Sequence, residues 1–181
     1  MKENKENFFI EILKFSLIAI FIVLPFRIFI AQPFIVNGSS MDDTFANGNY
    51  LIVDQISYKF KEPERGEVIV FRYPKDQTKF FIKRIIGLPE ETVQIKDLKV
   101  TITNKKNPDG FELEEPYIKT LTQRNVTTTL GKGEYFVMGD NRNASSDSRI
   151  WGSLSEDLIT GRTFLRLFPP QKISIFPGYY N

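Results

Sequence analysis

Short apolar runs separated by turn residues follow one another from residue 50 onward, and they limit this part of the chain to a β fold. The runs are rich in Val, Ile, Phe and Tyr, as strands are, and no long segment with helical periodicity follows residue 36. We therefore predict an all-β domain, with one helical turn at 155–159. The predicted strands are 50–53, 68–73, 80–86, 92–95, 99–103, 135–138, 163–168 and 173–176. The predicted turns are 47–48, 65–66, 88–89, 108–110, 131–133 and 169–170.

Residues 97–133 are more polar than the rest of this domain and richer in Thr, Asn and Lys. We interpret about 97–133 as a smaller β lobe inserted into the main domain. A long exposed hairpin is the alternative.

An apolar segment, residues 8–30, precedes the β domain. As a helix it would reach about 35 Å, roughly the thickness of a bilayer core. Its charge-free centre, 15–26, is only as long as the apolar core of a signal peptide, so a cleaved signal peptide is one alternative. A helix buried in the protein is the other. Cleavage after Ala31 would place Phe29 at the −3 position, where cleaved signal peptides have a small residue. We therefore predict a retained transmembrane anchor.

Basic residues flank this segment unevenly. Two lysines, Lys2 and Lys5, precede the segment, and Lys14 lies in its first half. Arg27 lies near its far end. The positive-inside rule then predicts a single pass through the cell membrane, with residues 1–7 in the cytoplasm and residues 31–181 as an extracytoplasmic domain.

Histidine and cysteine are both absent from the sequence. This excludes Ser-His-Asp triads, thiolate nucleophiles, disulfides and His- or Cys-based zinc sites. Lys and Arg total 24 against 22 Asp and Glu, so the basic excess typical of a nucleic-acid binder is missing. We predict no metal, no cofactor and no nucleic-acid partner. A hydroxyl nucleophile would need a lysine as its base, or else a carboxylate.

Two of four unusual segments contain candidates for such chemistry. Residues 37–44 contain small residues that allow another backbone to approach closely, although a linker is the alternative. In residues 80–87, a strand would place Phe81, Lys83 and Ile85 on one face. Apolar neighbours would desolvate the ammonium group and lower the pKa of Lys83. A solvated edge strand is the alternative.

The other two segments look supportive. Residues 65–71 form a turn followed by an apolar strand, which core packing explains. Residues 139–149 combine Asp, Arg and Ser side chains densely. A solvated loop would account for the polarity, but the mixture suits a hydrogen-bond network that supports a site.

Together the four segments resemble, in order and spacing, the sequence boxes of type I bacterial signal peptidases. Residues 38–44 match the nucleophile box Gly-x-Ser-Met-x-Pro-Thr, and 65–71 match Arg-Gly-Asp-Val-Val-x-Phe. Residues 83–91 match the lysine box Lys-Arg-x-x-Gly-x-Pro-Gly-Asp, and 139–149 match the last box completely. The likeness spans 8–168. The departures include Asp43 for Pro, Glu67 for Asp, and Glu90-Glu91 for Gly-Asp.

The resemblance implies a role for each matched position. Ser40 would be the nucleophile, Lys83 its general base, and Ser145 the residue that orients the lysine amine. Two ion pairs would brace the site: Asp140 with Arg84, and Asp147 with Arg149.

The resemblance also places the substrate and oxyanion region at Gly38, Ser39 and Met41. The Ser40 backbone N–H would be one oxyanion donor. Gly38 stands where some relatives have a serine that supplies a second donor.

The implied fold is an all-β catalytic domain with an inserted lobe behind one transmembrane helix. The implied activity is removal of signal peptides from exported preproteins after Ala-x-Ala-like sites, through an acyl-enzyme and beside the lipid bilayer. Two other classes of protein are alternatives. Self-cleaving SOS-response repressors share the Ser–Lys chemistry, but they carry a DNA-binding module instead of a membrane span. The departures at Asp43 and Glu90 also allow a catalytically silent binding protein on a peptidase scaffold.

Overall fold

The computed structural model describes residues 3–23 and 31–180. An α-helix, α1 (Glu3–Ile18), continues as one π-helical turn, Ala19–Val23. Within these described residues, no helix is both long enough and apolar enough to cross a membrane. Residues 24–30 of the predicted anchor lie outside the described residues.

Twelve strands make up most of the regular structure from residue 31 to residue 180. They are β1 (Ala31–Ile35), β2 (Tyr50–Asp54), β3 (Val68–Tyr73), β4 (Asp76–Gly87), β5 (Thr92–Lys96), β6 (Lys99–Asn104), β7 (Asn107–Glu112), β8 (Val126–Thr129), β9 (Glu134–Met138), β10 (Leu154–Ser155), β11 (Ile159–Phe168) and β12 (Ser174–Ile175). One short α-helix, α2 (Ser148–Trp151), and four 3-10 turns connect them; the turns are Ser57–Lys59, Arg142–Ala144, Glu156–Leu158 and Pro170–Lys172. The prediction of a mostly β fold is confirmed.

The strands form two antiparallel sheets. The larger sheet has the order β1-β2-β11-β3-β4-β9-β10, with β12 paired to β11. The smaller sheet has the order β7-β6-β5-β8 and is inserted between β4 and β9, which are neighbours in the larger sheet. The smaller sheet begins at Thr92, a few residues before the predicted lobe, because β5 starts directly after the turn that ends β4.

Buried apolar residues form three clusters. One fills the smaller sheet and its junction with β9, and a second lies between β3, β4 and β9. The third consists of Val36, Met41, Phe45, Leu51 and Val68. Met41 and Phe45 are fully buried there, so the third cluster fixes the segment that follows β1. This segment includes residues 37–44, one of the four unusual segments of the sequence.

The predicted turn at 108–110 is wrong, since these residues lie within β7. The chain instead reverses at Lys105 and Lys106. A proline is tolerated in β7 because β7 is an edge strand, where a missing N–H leaves no partner unpaired. Gly110 has a positive φ of 78°, and the pairing of β6 with β7 changes register nearby. Both features are typical of an irregular edge.

Candidate active site

The turn after β1 and the middle of β4 meet at a pair of side chains. Lys83 Nζ lies 2.7 Å from Ser40 Oγ and also donates to the Ile82 carbonyl at 2.9 Å. The structure thus brings together the two residues that the sequence predicts as base and nucleophile, although 43 positions separate them. A lysine amine at hydrogen-bond distance from a serine hydroxyl has the geometry needed for proton transfer.

Burial alters the titration of this lysine. Lys83 is only 4% exposed, and desolvation lowers its pKa to about 8. The negative charges of Asp147 and Asp140 act in the opposite direction and limit the drop. With a pKa of about 8, about one molecule in ten has a neutral amine at pH 7, compared with roughly one in two thousand for an unperturbed lysine.

Backbone contacts hold Ser40 against the loop 139–149. The Ser40 carbonyl accepts from Asn141 N at 3.1 Å, and the Asn141 side chain donates to the Ser39 carbonyl at 3.0 Å. Gly139 is required at this crossing, because a Cβ there would overlap the Ser40 carbonyl oxygen. Among the described residues, no group accepts a hydrogen bond from the Ser40 N–H. That N–H is therefore available to a ligand.

The Arg84–Asp140 pair is bidentate and fully buried. Arg84 Nε and Nη2 donate to the two Asp140 oxygens at 2.8 and 2.6 Å. Arg84 Nη1 also donates to the carbonyls of Gly66 and Gly178. The hydroxyl of Thr44 donates to Asp140 Oδ2 at 2.5 Å, so this ion pair anchors the turn that carries Ser40.

The Asp147–Arg149 pair organises the loop 139–149 from within. Arg149 donates two hydrogen bonds of 2.8 Å to Asp147, and Asp147 also accepts from Gly139 N at 3.1 Å. Arg149 Nη2 donates to the Arg142 carbonyl at 2.7 Å. Asp147 and Arg149 thus link the backbone at Gly139 and Arg142, which restrains the conformation of this loop.

Ser145 and Met41 differ from their predicted roles. The buried Ser145 hydroxyl has no hydrogen-bond partner among the described residues, so the predicted bond to the Lys83 amine is not formed here. Lys83 instead directs its hydrogen bonds to Ser40 and the Ile82 carbonyl. Met41 does not line the open groove beside Ser40. It is buried because it is apolar, and its sulfur accepts from Asp140 N at 3.4 Å.

That groove, about 460 Å³ in volume, opens beside Ser40 and Lys83. Residues from the end of β1 and from β4 form its two long walls, and they are mostly apolar. The lining includes Phe34, Ile35, Val36, Gly38, Ser39, Phe80, Phe81 and Ile82. An extended peptide would fit such a groove, because β1 ends the strand order of the larger sheet.

Two of the departures from the matched boxes, Glu90 and Asp43, lie at positions with a positive φ. Glu90 has a φ of 65°, a conformation that glycine adopts easily, and glycine is the family's residue at that position. Glu91 accepts two hydrogen bonds of 2.7 Å from Arg65 and one of 2.8 Å from Leu88 N, so it joins two of the four segments. Asp43 has a φ of 81°, which the proline of the family box cannot adopt.

Sequence reasoning missed several residues that contact the site. Thr44 and Arg142 belong to the matched boxes, and their polar side chains were the available signal. Glu115, Tyr117 and Lys119 come from the polar region that was assigned only to the lobe. Isolated polar residues in a loop carry no spacing pattern, so nothing in the sequence indicated their contacts.

The chain is similar to known proteins over most of its length. The family model described as "Signal peptidase, peptidase S26" matches residues 9–168. A probable signal peptidase I-1 of Synechocystis sp. is 36% identical over 174 residues, covering 92% of this chain and 86% of that protein. Signal peptidase IB of Staphylococcus aureus is 34% identical, covering 84% and 86% respectively. A crystal structure of a signal peptidase I from Enterococcus faecalis, 31% identical, superposes with a TM-score of 0.49 over 56% of this chain and 97% of that chain.

Proposed function

The chain belongs to the signal peptidase family, peptidase S26, and we propose that it removes signal peptides from exported preproteins with Ser40 as nucleophile and Lys83 as general base. As a member of this family it is a serine endopeptidase. The observation that carries the proposed dyad is the 2.7 Å contact between Lys83 Nζ and Ser40 Oγ, in a chain without histidine or cysteine. No imidazole or thiolate can therefore replace either group.

In the proposed mechanism, the neutral Lys83 amine takes the proton of Ser40 as Oγ attacks the scissile carbonyl carbon. The oxyanion that forms accepts a hydrogen bond from the Ser40 N–H. Lys83 then returns the proton to the leaving amine, and the C–N bond breaks to leave an ester on Ser40. Water attacks this acyl-enzyme, with Lys83 again as base, and releases the signal peptide as a carboxylic acid.

Two features support a lysine base at neutral pH. Burial lowers the pKa of Lys83 to about 8. The neighbouring carboxylates of Asp140 and Asp147 are each paired with an arginine, which compensates their charge. An unpaired carboxylate at either position would attract the proton back to Lys83 and raise its pKa. The arginine pairs thus keep the amine reactive.

The proposed substrate is an extended peptide with small residues at −3 and −1. Its main chain would bind along the groove between β1 and β4, and its scissile carbonyl would lie at Ser40. Close approach of backbone at Gly38 and Ser39 favours small side chains next to the cut. An Ala-x-Ala-like site satisfies this requirement.

Membrane attachment through residues 8–30 is part of the proposal. The apolar composition and the Lys asymmetry support a single pass, with residues 1–7 in the cytoplasm and residues 31–181 outside. On residues 8–23, eleven large apolar side chains are each 45–71% exposed, and such a surface is stable in lipid. Protease added to spheroplasts should degrade the domain; degradation of residues 1–7 with a protected domain would reverse the orientation.

Incubation of the detergent-solubilised full chain with a preprotein tests the function. We expect cleavage after an Ala-x-Ala site, identified by N-terminal sequencing of the product, and no cleavage by Ser40→Ala. Binding of the preprotein without cleavage would favour the silent binding protein. Equal cleavage of a preprotein with Phe or Lys at −1 would contradict the proposed specificity.

A further inference from the structure

One stretch of the inserted lobe contacts three of the four segments that build the site. We call residues 115–122, in the loop between β7 and β8, the strap. Its charged and aromatic side chains do not face the lobe's own sheet but the larger domain. The contacts are Glu115 and Thr122 with Arg142, Tyr117 with Arg84, and Lys119 with Asp43.

Arg142 fixes both ends of the strap. It donates to Glu115 Oε2 at 2.8 Å and to the hydroxyl of Thr122, and its Nε donates to the Gly139 carbonyl at 3.1 Å. Arg142 and Thr122 are 2% and 1% exposed. A buried pair is costly to break, because the remaining charge would be left without a partner. The strap is therefore firmly attached to the loop 139–149.

Tyr117 continues this attachment over the Arg84–Asp140 pair. The Arg84 guanidinium lies 3.9 Å from the centre of the Tyr117 ring and 5.4 Å from that of Tyr180. Tyr117 is itself 8% exposed, and its hydroxyl donates to Glu115 at 3.1 Å. Cation–π contact and exclusion of water both strengthen the ion pair beneath.

Lys119 lies between these buried anchors and reaches the turn that carries Ser40. Its Nζ is 2.6 Å from Asp43 Oδ1, and both side chains are solvent-exposed, at 75% and 42%. Asp43 lies three residues after Ser40 in a left-handed conformation, which Asp tolerates better than most non-glycine residues but which is still less favourable than the right-handed region. A proline there would restrict φ by its ring, whereas Asp43 needs an external restraint.

We propose that Lys119 is a positioning residue, which holds the Ser40 turn through its ion pair with Asp43 while the rest of the strap is anchored on Arg142 and Arg84. This inference rests on the proposed function, since its effect is on turnover. The turn is then held at two adjacent residues, by the partly buried Thr44–Asp140 bond and by the exposed Asp43–Lys119 pair. The groove walls on β1 and β4 do not take part, so substrate binding is largely independent of the pair.

The test compares Lys119→Met, Asp43→Asn and the double variant in cleavage of an Ala-x-Ala preprotein. Asparagine tolerates the left-handed conformation, so Asp43→Asn removes the charge without changing the backbone preference. We expect each variant to lose roughly three- to fivefold in kcat, with KM within about twofold. The double variant should lose no more than either single variant, because one interaction is removed in all three.

Salt supplies a second measurement that a purely structural role would not change. The kcat of the unmodified protein should fall between about 0.05 and about 0.5 M NaCl, because salt screens an exposed pair, while kcat of the Lys119→Met variant should stay flat. Lys99→Met is the matched control, since Lys99 and Glu112 form a similarly exposed pair of 2.8 Å within the lobe. Its kcat and its salt response should equal those of the unmodified protein.

The outcomes separate this inference from the proposed function. If the unmodified protein cleaves the preprotein and Ser40→Ala does not, the function stands. Unchanged kcat in Lys119→Met, additive losses in the double variant, or an equal loss in Lys99→Met would then overturn the role of Lys119 alone. Failure of the unmodified protein to cleave would overturn both.

Discussion

The two members of the proposed dyad are held in different ways. Lys83 lies within β4 and pairs with Ile69 of β3, and the pairing of β4 with β9 begins at the next residue, Arg84, so regular strand pairing fixes the backbone around Lys83. Ser40 lies in an irregular turn, which the buried side chains of Met41 and Phe45 attach to the core. Polar contacts hold it further, among them the backbone bond from Asn141, the Thr44–Asp140 bond and the Asp43–Lys119 pair. Changes around β4 should therefore act mainly on stability, and changes around the turn mainly on turnover.

The largest effect on turnover is expected at the dyad itself, where changes on the β4 side and on the turn side should be equally harmful. Ser40→Ala, Lys83→Ala and Lys83→Arg should each lower kcat/KM by a factor on the order of 10⁴ or more, because nucleophile and base act as a unit. Arginine keeps the charge but cannot deprotonate, so it cannot replace the lysine. Kinetics on purified protein measure this loss. The double variant Ser40→Ala/Lys83→Ala should be little worse than either single variant, and additive losses would show that the two residues act separately.

Arg84 tests the β4 side of the comparison. Arg84→Met should lower the free energy of unfolding by about 3–5 kcal/mol, because it leaves the Asp140 carboxylate buried without its partner. Denaturant titration measures this change. Arg72→Met on β3 is the control, because Arg72 is exposed and pairs with no carboxylate among the described residues; it makes a 3.0 Å bond to the Gln77 carbonyl and lies 4.8 Å from the centre of the Phe80 ring. Equal stabilities of the two variants would contradict the view that the buried pair braces β4.

Asp43 tests the turn side, where the expected effect is smaller. Asp43→Pro restores the family's residue, but its ring cannot adopt a φ of 81°. The turn must then change, and we expect kcat to fall roughly tenfold, since small misplacements of a nucleophile are costly. Asp43→Gly adopts the conformation without strain and should lose only the Lys119 contact. A Pro variant more active than the unmodified protein would indicate that the observed turn is not the active one.

The strands that the sequence predicts are those with dense Val, Ile and Phe. β8 was missed because its sequence is Val-Thr-Thr-Thr, and β7 because Pro108 and Gly110 indicate a turn unless the strand is known to be an edge. Composition therefore indicated the lobe as a polar region, but it did not predict how the strands of the smaller sheet pair. Local composition predicts elements, but it does not determine which partner an edge strand finds.

Side-chain contacts between distant segments likewise could not be predicted from local sequence, although some of the residues that make them could. The segments that contain Ser40 and Lys83 could be recognised because small residues and an apolar-flanked lysine are local patterns, and the resemblance then supplied their roles. The strap could not be recognised, because Glu115 and Lys119 resemble solvated loop residues until the fold places Arg142 and Asp43 opposite them. The unpaired Ser145 hydroxyl shows the converse, since a matched position does not guarantee the matched hydrogen bond.

The pH dependence of kcat/KM tests the central claim, a lysine base kept partly neutral by burial, most directly. The measurement is made on the entire 181-residue chain with an Ala-x-Ala preprotein. Because the neutral amine is the active form, kcat/KM should rise with pH and level off above the lysine pKa of about 8. An apparent pKa near 8, with no measurable limb in Lys83→Arg, is the predicted result. A limb near the unperturbed lysine value of about 10.4, or substantial turnover by Lys83→Arg, would contradict the account.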